Sequence, residues 1–324
     1  MARFGPRWRA ALRWTVGLGL LGVVIGWADI GSIAGRLAGV DRASAAVGVM
    51  GLVAVHLVGA LAWQRLTNGL AGVRIGWSAA VRLYYGGQAF GALTPANLGS
   101  DLFRIAALDA GAERGAIAAP IVAQRVTSLA AMVALGGLAA AMLPIDGSRW
   151  VDGALLVTAA MVVVALGVGA RRAGAAAALA RRIGLDPALL ASPAARASLL
   201  RDGLGLGLVF HATSLLLGLL LVSAVDPETV TRPGVVLAAL ALARLSLVFP
   251  FAPSGIGIQE GVLALLFVQL GLPPDSAIVA TLLNRVALLL TAALGSIAIL
   301  GGRPGRSGRL DRATSAAWSE RPSG

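Results

Sequence analysis

From residue 43 to residue 64 the chain carries no charged side chain, and the same holds from 203 to 225. About 20 consecutive apolar residues carry an α-helix across the hydrocarbon core of a bilayer. Each run therefore reads as a membrane span, and no other feature restricts the fold as strongly. Further charge-free runs lie at 14–28, 126–145, 153–170 and 286–302. The third-from-last extends back through Arg125 to 115, and the last back through Arg285 to 276. Composition agrees: 57% of the 324 residues are apolar and 13% are charged, about half the charge of a soluble domain. A soluble module and a disordered chain are both excluded.

Two apolar regions do not read as simple spans. Residues 83–100 contain Gly86, Gly87, Gly91, Pro95 and Gly99, and residues 233–272 are interrupted by Arg244, Pro250, Pro253, Gly255, Gly257 and Glu260. Pro and Gly at this density break the helical hydrogen-bond ladder. In lipid, broken backbone survives only where protein or a water-filled cavity covers it. Both regions are therefore expected to be helical hairpins that dip into the membrane. The expected fold class is all-α: a polytopic membrane bundle of about eight spans plus two broken re-entrant hairpins. Residues 1–302 form one transmembrane domain, with a basic, Ala-rich cytoplasmic loop at 171–202. Residues 303–324, rich in Arg, Ser, Gly and Pro, read as a disordered basic cytoplasmic tail.

All 27 basic residues are arginine, against 15 acids, for a net charge of +12. In a soluble protein this balance would suggest nucleic acid; flanking apolar runs, it reads as an anchoring belt, with no nucleic-acid partner. With the N-terminus in the cytoplasm, cytoplasmic segments hold 19 arginines and external loops four (Arg36, Arg42, Arg149 and Arg232). The positive-inside rule then places both termini inside. No cysteine is present, which removes thiolate metal sites and thiol nucleophiles. His56 and His211 are too few for a histidine metal site or triad, so no metal and no cofactor are expected. Each histidine reads as a polar contact between helices. Trp8, Trp14, Trp27, Trp63, Trp77 and Trp150 read as interfacial anchors. The Gly22/Gly26 and Gly31/Gly35/Gly39 spacings read as close helix packing.

A shift of 160 residues aligns the two halves. Residues 43–64 overlay 203–224, and 107–126 overlay 267–286, matching Gly111 with Gly271, Gln124 with Asn284 and Arg125 with Arg285. The segment from Pro95 to Asp101 resembles that from Pro253 to Glu260 with one residue of slippage. Repeat 1 spans about 43–145 and repeat 2 about 203–302. The span topology makes the halves inverted, an architecture recurrent in transporters, whose sites lie near the bilayer midplane.

Six ionisable residues, Asp101, Arg104, Arg125, Arg244, Glu260 and Arg285, fall inside or at the edge of apolar stretches. A charge at the bilayer centre costs about 2.5–3.5 kcal/mol on insertion scales, so these groups are expected to pair, face the interior or line a hydrated path. Asp101 is expected to cap a helix over 102–110, and Glu260 one over 261–270. Arg104, one turn past Asp101, is placed to pair with it. Arg125 and Arg285 have no acid adjacent in sequence. They carry the stronger case for contact with a lipid phosphate, to which the planar, multi-donor guanidinium is suited.

The first motif (Arg82, Tyr85, Gly86, Pro95, Gly99, Asp101, Arg104), Arg125 in the following helix, and Pro253-Ser-Gly-Ile-Gly-Ile-Gln-Glu-Gly261 with Arg285 resemble the lysylphosphatidylglycerol synthase transmembrane-region family. That is a flippase-like membrane domain found alone or fused to a synthase. The resemblance covers about residues 10–302. It implies a multi-pass protein of the bacterial cytoplasmic membrane that moves a lipid between leaflets along the matched residues. Two positions depart from the family pattern: Gly99-Ser100-Asp101 stands where Gly-Gly-Asp is common, and Gln124-Arg125 where Glu-Arg is common. With no synthase domain in the sequence, the resemblance does not imply aminoacyl transfer.

The expected function is translocation of an anionic or phosphate-bearing lipid without ATP, since no phosphate-binding loop is present, and the chain is not expected to be an enzyme. Arg104, Arg125, Arg285, Asp101, Glu260, Arg82 and Tyr85 are the expected substrate-binding residues; Pro95, Gly99, Pro253, Gly255 and Gly257 form the hairpin tips. The expected partners are membrane lipids, with a second copy of the chain or a lipid-synthesis enzyme as candidate protein partners. The alternatives are a lipid-modifying transferase using Asp101 and Glu260, and a non-transporting accessory subunit of a lipid-synthesis enzyme.

Overall fold

The computed structural model describes residues 30–70, 74–94, 97–108, 114–140, 197–245 and 255–301, with isolated helical positions between 15 and 26. Most of the expected span at 14–28, the span at 153–170, the loop from 171 to 196 and the tail lie outside the described residues. So do Pro95 and Pro253.

Every described element is helical: α1 (Ile30–Ala38), α2 (Arg42–Ala54), α3 (His56–Leu70), α4 (Trp77–Gly91), α5 (Leu98–Leu108) and α6 (Arg114–Ala140). A π-helical turn (Leu199–Gly205) leads into α7 (Leu206–Val225), a 3-10 turn (Pro227–Thr231), α8 (Pro233–Leu245), α9 (Ile258–Gln269) and α10 (Pro274–Leu300). Four stretches are long and apolar enough to cross a membrane: Arg42–Leu70, Ala118–Ala139, Arg201–Val225 and Pro274–Leu300. The shorter Pro233–Arg244 and Ile258–Gln269 are apolar as well. The protein is a multi-pass membrane protein. Its surface carries apolar side chains such as Leu102, Leu289 and Ile297, each about two-thirds exposed, while Ser100, Ser276, Thr291 and Glu260 are buried. The exposed apolar side chains suit a surface that faces lipid, and the polar residues are buried within a mainly apolar core.

Local chemistry sets the helix boundaries. Asp41 accepts hydrogen bonds from the Ala43 and Ser44 amides and opens α2. Pro274 occupies the first turn of α10, where its missing N–H costs nothing. The element boundaries recur at the offset found in the sequence. α5 begins at Leu98 and α9 at Ile258, 160 residues on; α6 and α10 each hold 27 residues and begin at 114 and 274. The residue before each short helix is left-handed, Asn97 at φ 57° and Gly257 at φ 79°. Glycine adopts this conformation freely, and asparagine is among the side chains that best tolerate it.

The helix Arg42–Leu70 connects two ends of the bundle, each closed by polar contacts. At the first end, Arg36 binds Asp226 at 2.8 Å and Asp275 at 2.9 Å. Ser276 donates to Asp226 at 3.0 Å, and the Asp41 amide donates to the Ala224 carbonyl at 2.9 Å. The hydrogen bond to Asp275 raises the Arg36 pKa against the cost of burial. Burial pushes the Asp226 carboxyl up, but its hydrogen bonds and the Arg36 charge outweigh that and hold it below the usual carboxylate range. At the second end, Arg65 faces Asp202 at 3.4 Å, Gln64 donates to the Ile75 carbonyl at 2.8 Å, and the Ile75 amide donates to Asn68 at 2.8 Å. α4 therefore starts at the second end. α8 starts at the first, where Arg232 reaches the Gly271 carbonyl at 3.5 Å and so ties the start of α8 to the turn after α9.

Small residues set how closely these helices approach. A Cβ at Gly295 of α10 would fall 1.9 Å from the Tyr85 carbonyl oxygen of α4, and one at Gly48 of α2 would fall 2.5 Å from Leu221 of α7. Among the described residues, nothing lies within 4 Å of a Cβ placed at the expected packing glycines Gly22, Gly26 and Gly35. Trp63 corrects the reading of tryptophans as interfacial anchors, because it is fully buried, whereas Trp77 is exposed.

Candidate functional site

The α4–α5 turn is built by close backbone approach. Thr94 Oγ1 accepts from the Gly99 amide at 2.7 Å, and Asn97 Nδ2 donates to Gln88 Oε1 at 3.3 Å. A Cβ at Gly99 would lie 2.4 Å from the Phe90 carbonyl, and one at Gly91 would overlap the Asn97 side chain. Larger residues at either position would force the turn open.

This turn delivers Asp101, which is 8% exposed, in the first turn of α5. Its Oδ1 accepts from Arg104 at 2.5 Å, and its Oδ2 accepts from Arg125 Nε of α6. Arg104 also donates to Gln124 at 3.1 Å and lies 5.2 Å from the ring centres of both Trp63 and Tyr84. A guanidinium over aromatic faces is stabilised by their quadrupoles. Gln124 in turn donates to the Gly59 carbonyl at 2.9 Å. An amide bridges Arg104 and that carbonyl; a glutamate in its place would have no hydrogen to give Gly59.

The second half repeats the arrangement. Glu260, 1% exposed in the first turn of α9, accepts from Arg285 Nε at 2.6 Å and Nη2 at 3.2 Å, and from the Gly257 amide at 2.9 Å. In both halves an acid on a short helix meets an arginine from the middle of the following long helix. Twenty-four residues separate Asp101 from Arg125, and 25 separate Glu260 from Arg285.

Three expectations change on this geometry. Arg125 and Arg285 do have acids, supplied by the preceding helix and not by their own, so spacing within one helix did not reveal them. Asp101 does not cap 102–110, because α5 begins at Leu98 and the carboxylate is held by two arginines. Glu260 does cap, but on a helix that begins at Ile258, before the expected start.

Between the two halves lies a cavity of about 460 Å³. Ala92 and Asn97 line it from the first turn, and Gly255 and Gln259 from the second. Arg125, Ser128, His211, Ser214, Arg244 and Asn284 are among its polar lining. A smaller cavity of about 170 Å³ adjoins it through Tyr84, Gln88, Asn97, Arg125, Ser128 and Phe210, and reaches Asp101, Arg104 and Gln124. The structure thus brings Asp101, Arg104 and Arg125 together at one wall. Glu260 and Arg285 stand one residue beyond Gln259 and Asn284, behind the opposite wall. Of the expected tip residues, Gly255 lines the chamber, and Gly257 holds the turn with its positive φ. Arg82 and Tyr85 line neither cavity: Tyr85 is buried and donates to the Val53 carbonyl at 2.7 Å, and its neighbour Tyr84 faces the chamber instead. Sequence reading passed over Gln88, Asn97, Ser128, Ser214 and Gln259, whose only signal was polarity within apolar runs. It noted Arg244 as an intramembrane charge without giving it a role.

Among the described residues, Arg104, Arg125 and Arg244 line the two cavities with Asp101, and the Arg285–Glu260 pair stands just behind, an excess of two positive charges. Among the described residues no cluster of three or more His, Asp or Glu could hold a metal. The arrangement is suited to receiving an anion.

The family described as Lysylphosphatidylglycerol synthase TM region matches residues 14–295, a stretch containing both turns and the ion pairs of Asp101 and Glu260. No curated protein and no solved structure matches the chain. The chain belongs to the Lysylphosphatidylglycerol synthase TM region family, a membrane domain associated with lipid modification or translocation.

Proposed function

We propose that the protein is a lipid translocase that moves an anionic or phosphate-bearing lipid between leaflets without ATP. α4–α5 and α8–α9 act as re-entrant hairpins from opposite faces in an inverted repeat, within a bundle of about eight spans. The protein resides in the bacterial cytoplasmic membrane with both termini inside, works without a cofactor, and acts as a carrier and not as an enzyme. One observation carries this reading: turns belonging to helices that start at opposite ends of the bundle line one chamber with excess positive charge.

A phosphate crossing bare hydrocarbon loses its hydration without replacement. Arginines and amides along the chamber replace that hydration while the acyl chains stay in lipid. Arg104, Arg125 and Arg285 contact the head group, and Asp101 and Glu260 release and recapture their arginines as the two repeats rock. Both carboxylates that a lipid-modifying transferase would use are held by arginines, which favours translocation over that alternative.

A proteoliposome assay tests the proposal. Wild-type protein should move a labelled anionic lipid well above the protein-free rate, and Arg125→Ala should reduce the protein-dependent rate at least tenfold, a change of about 1.4 kcal/mol in barrier. Equal, background rates for both proteins would refute it.

A further inference from the structure

We propose that the head-group resting site is centred on Arg244 and His211, residues outside both acid–arginine pairs, and that it takes the phosphate of an anionic lipid. The inference deepens the translocase reading and rests on it for the identity of the occupant. Arg285 is bound to both oxygens of Glu260, and Arg104 and Arg125 share Asp101. Arg244 differs. It donates from Nη2 to the Ser214 carbonyl at 2.9 Å, and among the described residues no carboxylate lies within ion-pair distance and its other donors have no acceptor.

His211 lies three residues before Ser214, on the same face of α7, and both residues line the large cavity. It is 8% exposed; its Nε2 meets Ser128 Oγ at 2.7 Å, and its buried Nδ1 has no hydrogen-bond partner. In the tautomer where Ser128 donates to Nε2, the imidazole proton sits on Nδ1, which then has a donor to offer. Buried donors are ordinarily satisfied. Among the described residues, a guanidinium with spare donors and a ring nitrogen without a partner belong to side chains that line one cavity, and an anion with several acceptor oxygens, such as a phosphate, answers both. Leu129, Met132 and Leu288 line the same cavity, and their apolar surface suits the glycerol and acyl portion of a lipid and offers nothing to a free ion.

The test is equilibrium binding to the purified full chain in detergent, with a short-chain phosphatidylglycerol and inorganic phosphate as separate probes. The expected result is phosphatidylglycerol binding that weakens at least tenfold in Arg244→Gln and about threefold or more in His211→Ala. Thermal melting checks that both variants are folded, and inorganic phosphate should bind far more weakly than the lipid. Wild-type affinity for the lipid in both folded variants would overturn the site. Inorganic phosphate binding as tightly as the lipid, with the same dependence on Arg244, would overturn the lipid assignment. Arg244-dependent lipid binding together with background transport by the wild type would uphold the site while removing translocation, so the two readings fail separately.

Discussion

Glu260→Ala should destabilise the folded protein by about 3–5 kcal/mol, the usual consequence of removing one member of a buried ion pair. The carboxylate is fully buried and receives three hydrogen bonds, two from Arg285 and one from the Gly257 amide that starts α9. Its loss takes the Glu260 charge away from a guanidinium that is 15% exposed and the acceptor away from an amide at a left-handed residue. Arg285→Ala should also be costly, because it strands the acid. The double variant, with neither charge, should lie well short of the sum, by about 1–3 kcal/mol of coupling. Reversible unfolding in mixed micelles measures all three, and additive effects would show that the pair contributes nothing as a pair.

Asp101→Asn should have the larger effect on transport. One carboxylate serves two arginines at the chamber wall, and the substitution removes the charge they share. Arg104 keeps Gln124, the Ser100 carbonyl and two aromatic rings, so the fold should lose only about 1–3 kcal/mol. On the proposed mechanism, the rocking step in which Arg125 leaves an acid and returns to it loses its switch. Transport in proteoliposomes should drop at least a hundredfold, about 2.7 kcal/mol of barrier, with the melting temperature shifted by only a few degrees. Wild-type transport by this variant would remove Asp101 from the mechanism.

The large features were legible because they rest on summed hydropathy and on backbone chemistry. The charge-free runs at 43–64 and 203–225 lie within helices long and apolar enough to span, and the 160-residue offset reappears in the boundaries of α5 and α9 and of α6 and α10. What stayed hidden depends on which faces meet. Asp101 and Arg125 are strangers in sequence and neighbours only because α5 folds back against α6. Tyr84 and Tyr85 differ by one residue, yet that step turns a side chain about 100° around a helix, enough to send one to the chamber and the other to the Val53 carbonyl. Trp63 sits near a span end by count, yet it is packed into the apolar core with the Arg104 guanidinium 5.2 Å from its ring centre.

The most direct test of the central claim, that the two hairpins enter from opposite faces and meet at one chamber, exploits the absence of native cysteine. Single cysteines at the exposed positions Arg74, before α4, and Arg232, before α8, should react with a membrane-impermeant maleimide from opposite sides in oriented vesicles. Labelling of both positions from the same side would contradict it.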